Sequence, residues 1–268
     1  MEKGLIRKTN GEIPYYISKA LEETGFVRHG FSTRRGGVSE GVFASMNLGR
    51  SVLAESQNIR ENRKRFCGAI GVDERQLRFT KQAHGDRIFI VSDRDARMPA
   101  GETCDGFITA LPGVPLMVFT ADCVPVLLLD PVKMVVAAVH CGWRGTALDM
   151  AGKAVRLMKG EFGSLASDII AAIGPSIMPC HFLTDNDVAD AMYERFGNDA
   201  HTFIERKGEK WAVDLPGING FALMREGVQE ENITLSGLCT ACDTDEFYSH
   251  RIMGFERGVC AGIISLVP

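Results

Sequence analysis

TADCVPVLLLDPVKMVVAAVHCGWRG, residues Thr120–Gly145, consists of two apolar runs joined by a short polar turn. Proline at the second position of a turn has its φ angle preset, and aspartate is common at the first position. The sequence therefore predicts a tight turn at Asp130–Lys133 and an antiparallel hairpin around it. Pairing Asp130 with Lys133 would place Cys123 directly opposite His140.

Such a pair has chemical consequences, because directly opposed residues of an antiparallel ladder have Cβ atoms about 5 Å apart on one face. A thiolate and an imidazole at that separation can share a metal ion or act as a nucleophile and its base, and both interpretations remain open. One more imidazole would complete the three protein ligands of an open zinc site. His84 is our candidate, because Gly85 beside it lets the backbone approach closely.

The order of the predicted elements indicates the fold class. Apolar spacing predicts a surface helix over 56–70 and an amphipathic helix over 146–159 with Leu148 on its apolar face, and 79–92 predicts a strand pair or a bend around 83–86. Further strands are predicted at 105–109, 115–120, 169–173 and 260–267, and further helices at 188–196 and 215–226. Because a hairpin rather than a crossover joins the central strands, we expect an α+β (mixed α/β) fold with mixed sheets, in a single domain spanning 1–268.

Composition excludes several classes of protein. The net charge of −4 argues against a broad nucleic-acid or anionic-membrane surface. The first residues lack the apolar core of a signal peptide, and Asp130 and Lys133 interrupt the longest apolar runs. We therefore expect a soluble, cytoplasmic protein that binds neither nucleic acid nor membrane. Its eight cysteines are then expected to be reduced, and most of them to be small buried apolar residues.

Three smaller patterns stay open at this point. Cys239-x-x-Cys242 has no second pair elsewhere, so a zinc ribbon is not expected, although a redox dithiol remains possible. His181, which follows Cys180 in a proline-bounded loop, has no assigned role. Gly142–Gly145 opens the predicted helix, and it is either an anion-binding helix start with Arg144 or a tight turn.

A series of motifs occurs together along the chain from about residue 29 to the end. They are FSTRRGGVSEG (31–41) with NLG (47–49), KQAHG (81–85), TADC (120–123), HCGWRG (140–145), GPSI (174–177), LCTAC (238–242) and SHR (249–251). In this order they resemble the bacterial laccase-domain or polyphenol-oxidase family, whose members are described as multifunctional purine nucleoside phosphorylases. The sequence departs from the family at 178–183, where MPCHFL replaces the common GPCCYE.

The resemblance implies a single domain with α/β/β/α layers and a zinc ion, with copper possible, held by His84, Cys123 and His140. The implied reactions are phosphorolysis of adenosine, inosine, guanosine and methylthioadenosine, and deamination of adenosine. The partners expected are a small-molecule nucleoside and phosphate, and the protein is expected to be a monomer or homodimer.

Within this interpretation we assign expected roles to individual residues. The catalytic candidates are Cys123, His140 and Asp122. The substrate-binding candidates are Asn47, Arg63, Arg144 and His250. Asn47 and Asp122 would orient a sugar or a base, and Arg63 and Arg144 would bind phosphate.

Two alternative activities are weighed against this one. A multicopper oxidase of phenols needs roughly eight imidazoles and paired His-x-His segments. The chain has six histidines and no His-x-His, which excludes the usual multicopper centre, although a single copper in the Cys/His/His site remains possible. A thiol hydrolase, such as an amidase acting on a cell-wall precursor, would use Cys123 as nucleophile and His140 as base.

Overall fold

The computed structural model describes residues 4–49, 56–96 and 98–268. Within these residues the chain forms fourteen β-strands and seven α-helices. The strands are β1 (Leu5–Asn10), β2 (Ile13–Ser18), β3 (Val27–Ser32), β4 (Ile88–Ile90), β5 (Gly106–Thr109), β6 (Leu116–Thr120), β7 (Val124–Asp130), β8 (Val135–Cys141), β9 (Ile170–Ile173), β10 (Leu183–Thr184), β11 (Ile204–Lys207), β12 (Lys210–Val213), β13 (Ile233–Leu235) and β14 (Cys260–Leu266). The helices are α1 (Lys19–Glu23), α2 (Ser56–Ile70), α3 (Trp143–Ala147), α4 (Met150–Phe162), α5 (Asn186–Phe196), α6 (Leu215–Arg225) and α7 (His250–Met253).

Two large sheets form the centre of the molecule. One is antiparallel, with the strand order β1-β2-β3-β14-β6. The other has the order β13-β9-β7-β8-β5-β4 and is mixed, because β13 runs parallel to β9 and β4 runs parallel to β5. A small third sheet has the order β10-β12-β11. The predicted α+β class with mixed sheets is confirmed.

The alternation of apolar side chains explains how the sheets stack. On β7, Val126 and Leu128 pack with apolar residues of α4 and α6, whereas Leu127 and Leu129 pack against β14 and β6 of the other large sheet. On β14, Ile263 points away from that interface and packs with residues of α2. The layers are therefore α2, the five-stranded sheet, the six-stranded sheet, and α4 with α6, which is an α/β/β/α arrangement.

The central hairpin is confirmed, but its predicted register is wrong. Asp130 pairs with Val135 rather than Lys133, and His140 pairs with Pro125 rather than Cys123. The loop is longer than a two-residue turn because the Asp130 carboxylate accepts hydrogen bonds from the amides of Val132 and Lys133 at 2.8 and 2.9 Å. Cys123 consequently lies just before β7 instead of within the ladder.

The helix predicted over 146–159 is also wrong as a single element. It is split into α3 and α4 at Asp149, which has a left-handed φ of 60°. The Asp149 carboxylate forms ion pairs with Arg156 and Arg195, which stabilise the break. Leu148 lies in this break and is half exposed, so it does not belong to the apolar face.

The remaining predictions are mostly confirmed. The 56–70 helix is α2, the other predicted helices are α5 and α6, and the short predicted strands correspond to β5, β6, β9 and β14. Between 79 and 92 only β4 is a strand, because 83–86 form a loop. The domain limits 1–268 include residues 1–3, 50–55 and 97, which lie outside the described residues, and they stay a prediction. No helix in the described part of the chain is both long enough and apolar enough to cross a bilayer.

We predict that Leu127→Ala lowers the free energy of unfolding by about 2–5 kcal/mol, because it leaves a cavity between the two large sheets. Val132→Ala in the exposed hairpin loop is the control and should change stability by less than about 0.5 kcal/mol. Denaturant unfolding of both variants measures the difference. Equal effects would contradict the described packing of β7.

Candidate metal centre

Three side chains with metal-binding atoms converge at one end of the central hairpin. His84 lies in the loop before β4, Cys123 precedes β7, and His140 lies near the end of β8. Their donor atoms all lie within 4.8 Å of one another. The two imidazole rings meet edge to face, with centroids 4.9 Å apart. The structure thus brings together the three residues that we selected as metal ligands.

The Asp105 carboxylate positions two of these residues. One of its oxygens, Oδ1, lies 2.9 Å from His140 Nδ1 and accepts a hydrogen bond from the His84 amide. The other oxygen, Oδ2, accepts from the amides of Ala83 and Gly85, both at 3.0 Å. Because Asp105 engages Nδ1 of His140, the Nε2 atom of that ring is left for the Cys123 side.

Glycine at position 142 makes the close approach possible. A Cβ atom at Gly142 would lie 3.0 Å from the His84 ring and 3.2 Å from Cys123 Sγ. These contacts are tighter than ordinary van der Waals packing. The turn between β8 and α3 therefore passes directly behind the donor atoms, and a side chain there would separate them.

Cys123 and His140 form a coupled pair of charges. Burial disfavours the thiolate, but the neighbouring His140 and a hydrogen bond from His84 outweigh burial and lower the pKa of Cys123 to about 6. Burial likewise disfavours the imidazolium, but Cys123 and Asp105 raise the pKa of His140 to about 9. Without a metal ion, the pair is a thiolate and an imidazolium near neutral pH.

Asp122 has a left-handed φ of 84°, and each oxygen of its carboxylate accepts one hydrogen bond. Oδ1 accepts a hydrogen bond from Thr240 Oγ1 and Oδ2 accepts from the Arg251 amide, both at 2.6 Å. These contacts hold the strained backbone that aims Cys123 at the centre. Asp122 borders a small cavity, and the catalytic role assigned to it stays a prediction.

A cavity of about 820 Å³ opens on one side of the three donor residues. Its wall contains the rings of Phe79 and Phe119, which meet edge to face at 5.7 Å. The Arg63 guanidinium stacks 4.0 Å above the Phe79 ring, and its Nε donates to the Leu48 carbonyl. The predicted substrate-binding residue Arg63 therefore lies at a cavity large enough for a nucleoside.

Arg257 also lines this cavity, and our sequence analysis missed it. Its Nε is buried and has no hydrogen-bond partner among the described residues. Burial lowers the pKa of Arg257, although the charges of Asp122 and Cys123 oppose that effect. The segment 255–258 has no sequence motif that would have indicated a cavity-lining arginine.

A smaller cavity of about 240 Å³ lies on the other side of the centre and shares His84 and Cys123 with the large one. The predicted residues Arg144 and His250 line it, together with Asp122. Arg144 stacks on Trp143 at 4.3 Å. The start of α3 at Trp143 shows that the Gly142–Gly145 turn opens a helix three residues earlier than predicted.

Asn47 is not brought to either cavity. It is 1 % exposed, and its Oδ1 accepts hydrogen bonds from the amides of Gly49 and Val259. These bonds join two loops at the edge of the large cavity, which Gly49 and Val259 line. Its substrate-binding role stays a prediction.

Sequence comparison supplies the context for this geometry. A family model described as multi-copper polyphenol oxidoreductase laccase matches residues 28–267. Purine nucleoside phosphorylase YlmD of Bacillus subtilis is 34% identical over 83% of this chain and 82% of its own length. Adenosine deaminase RL5, from an unknown prokaryotic organism, is 31% identical over 85% of this chain and 90% of its own.

Structure comparison agrees with the sequence comparison. The crystal structure of YlmD from Geobacillus stearothermophilus superposes with a TM-score of 0.91 at 29% identity, over 98% of this chain and 100% of that one. The family match covers both large sheets except β1 and β2, and it includes every residue of the candidate centre. The chain therefore belongs to the laccase-type family whose similar members include proteins named purine nucleoside phosphorylase and adenosine deaminase.

Proposed function

We propose that this protein is a metal-dependent purine nucleoside phosphorylase, acting on adenosine, inosine, guanosine and methylthioadenosine, that also deaminates adenosine. The observation that carries the proposal is the convergence of His84, Cys123 and His140 at the wall of an 820 Å³ cavity. The names of the similar proteins support both reactions. The metal proposed is zinc, with copper as the alternative.

The donor set fits zinc. One thiolate and two imidazoles are typical zinc ligands, and three protein ligands leave a position open for chemistry. Asp105 fixes the orientation of His140, as carboxylates commonly do for zinc-bound histidines. When bound, zinc would supply Lewis acidity at the cavity wall.

The aromatic wall is suited to a purine base. Phe79, Phe119 and Arg63 line the cavity, with the Arg63 guanidinium stacked on Phe79, and a purine can stack on an exposed aromatic ring such as Phe79. Held there, the base would fix the position of the ribose relative to the three donor residues. Such positioning accounts for a large part of the rate enhancement in two-substrate reactions.

Arg257 is suited to the phosphate. In phosphorolysis a phosphate oxygen forms a bond to C1′ of the ribose while the C1′–N9 bond breaks and its electron pair stays with the purine. A half-buried guanidinium whose buried Nε is unsatisfied is a strong donor for such an anion. Arg63 contributes a second positive charge in the same cavity.

The proposed partners are a small-molecule nucleoside and phosphate, without nucleic acid or membrane, in a monomeric or homodimeric cytoplasmic protein. The net charge of −4 supports the absence of a nucleic-acid surface. Positive charge is instead placed locally, inside the cavity at Arg63 and Arg257.

We predict that metal-loaded protein releases hypoxanthine from inosine only when phosphate is present. Arg257→Met should lower kcat/KM for phosphate by about a hundredfold or more, because a charge-stabilising donor is lost. Arg206→Met, on exposed β11, is the matched control and should be unaffected. Hypoxanthine release without phosphate, at the full rate, would contradict the phosphorylase.

We predict that Cys123→Ala and His84→Ala each lose one equivalent of metal and the phosphorolytic activity. Asp105→Asn should weaken metal binding or activity by about 10- to 100-fold, because His140 loses its orienting partner. His201→Ala removes an exposed imidazole elsewhere and serves as the control. Elemental analysis of the purified variants measures the metal content per chain. Unchanged metal content in Cys123→Ala and His84→Ala would refute the site.

A thiol hydrolase, such as an amidase acting on a cell-wall precursor, is the second candidate. The observation that favours it is the depressed pKa of Cys123 beside His140, which is the arrangement of an activated nucleophile. An activity that survives chelation but is abolished by iodoacetamide would establish this candidate. Phosphate-dependent release of hypoxanthine that is lost on chelation and recovered with zinc would favour the metal enzyme.

We predict that the alkylation rate of Cys123 in metal-free protein rises with pH, with a midpoint of about 6. Because the pKa of Cys123 is lowered, its thiol is deprotonated above that pH and protonated below it. A simple peptide thiol has its midpoint near about 8.5. His140→Ala should move the Cys123 midpoint upward, since the main stabilising charge is removed. Mass spectrometry of the alkylated peptide measures the midpoint, and a midpoint unaffected by His140→Ala would contradict the pairing.

A further inference from the structure

Four metal-binding side chains converge at a second place, in the segments that follow β9 and β13. They are Cys180, His181, Cys239 and Cys242, and their donor atoms all lie within 4.8 Å of one another. Cys239 is buried, His181 is half-buried, and Cys180 and Cys242 are exposed. None of the four lines the two cavities beside the candidate metal centre. We call these four residues the outer cluster.

Two tight turns bring the outer cluster together. Cys180 and His181 end the turn that starts at Met178, where the His181 amide donates to the Met178 carbonyl at 2.9 Å. Cys239 and Cys242 bracket the second turn, where the Cys242 amide donates to the Cys239 carbonyl at 3.2 Å. A parallel bridge between Ser176 and Cys239 holds the two chain segments side by side.

The distances within the outer cluster match a tetrahedral ion. Cys180 Sγ lies 3.7 Å from Cys239 Sγ and 3.6 Å from Cys242 Sγ. His181 Nδ1 lies 3.3, 3.7 and 3.3 Å from the sulfurs of Cys180, Cys239 and Cys242. Zinc with its usual bond lengths would separate tetrahedral ligands by roughly 3.8 Å between two sulfurs and roughly 3.5 Å between sulfur and nitrogen.

A redox disulfide explains the arrangement less well. A disulfide bond joins sulfurs about 2.05 Å apart, and it would use two thiols of the outer cluster without any role for the third. The Nδ1 atom of His181 contacts all three sulfurs, which places it as a fourth donor rather than as a base for one thiol. Three thiolates and one imidazole form a common set of structural zinc ligands.

The surroundings of the outer cluster supply hydrogen-bond donors to the Cys239 sulfur and a positive charge nearby. The Cys239 sulfur accepts a hydrogen bond from the Met178 amide at 3.5 Å, and the amides of Ala241 and Cys242 also point to it. The Arg251 guanidinium donates to the His181 carbonyl at 2.8 Å, which brings a positive charge beside the cluster. Three thiolates and one Zn²⁺ carry a net charge of about −1, which this cation partly balances.

We propose that Cys180, His181, Cys239 and Cys242 bind a second, structural zinc ion with all four positions filled by the protein. The two turns that it joins also hold the Asp122 loop. The Ile177 amide donates to the Asp122 carbonyl from one side, and Thr240 donates to its carboxylate from the other. The second ion therefore stabilises the two turns that hold Asp122, the residue before Cys123. Its existence does not depend on the reaction proposed above.

Metal stoichiometry tests the proposal. Protein purified under reducing conditions and loaded with zinc should hold two equivalents per chain. Cys180→Ser and Cys242→Ser should each hold one and melt several degrees lower, and Cys123→Ala should also hold one. The double variant Cys123→Ala/Cys242→Ser should hold none, whereas Cys104→Ser, a buried thiol outside both sites, should keep two.

Cobalt identifies the ligands of the second ion. Cys123→Ala protein loaded with Co²⁺ should show the intense thiolate-to-cobalt charge-transfer bands of a tetrahedral site with three sulfurs. The proposal is overturned if Cys123→Ala protein binds no metal, or if intact protein carries a disulfide within the outer cluster. If the candidate metal centre bound no metal, the result would differ. Wild-type protein would then hold one equivalent, which Cys242→Ser would remove and Cys123→Ala would not.

A measurement on wild-type protein covers the case in which the cluster variants do not fold. Cys180 and Cys242 are exposed, so a thiol reagent reaches both in the absence of zinc. Zinc should slow their modification at least tenfold, and a chelator should restore it. Equal rates with and without zinc would overturn the proposal.

Discussion

The carboxylate of Asp105 is the single group on which the candidate centre depends. It binds three consecutive amides of the 83–85 loop and the Nδ1 atom of His140, so it holds a loop and a strand in one geometry. The Asp105 backbone adds a further bond, in which the His140 amide donates to its carbonyl at 2.7 Å. Burial opposes the charge of Asp105, but these donors outweigh it and lower its pKa. An anion fully occupied in this way is both stable in the core and unavailable as a ligand.

The sequence was sufficient for the hairpin and for selecting three residues that the fold brings together, and the family resemblance implied the layers, but the pairing of the strands was not predicted correctly. Turn residues and apolar runs are local signals, and they predicted β7 and β8 correctly. The register depends on loop length, which is set by hydrogen bonds of the Asp130 side chain that no pattern reveals. Cys123 still meets His140, because the left-handed turn at Asp122 directs the chain toward the end of β8.

The residues that sequence reasoning missed are brought in by contacts between distant segments. Asp105 reaches a histidine 35 positions away, and Arg257 enters the cavity from a segment with no recognisable motif. The Cys239-x-x-Cys242 pattern was visible, but its partners Cys180 and His181 are 59 and 58 positions from Cys239 and have no spacing typical of a metal site. The two halves of the outer cluster meet because β9 and β13 pair in parallel, which places the segments that follow these strands side by side.

The left-handed backbone at His84 and Asp122 has a consequence for how the protein matures. Isolated chains rarely visit φ angles of 58° and 84° at such residues, and it is the surrounding hydrogen bonds that hold them there. A nascent or unfolded chain therefore does not gather His84, Cys123 and His140. For the proposed metal enzyme, we therefore expect metal binding at this centre to follow the packing of the two large sheets rather than to precede it.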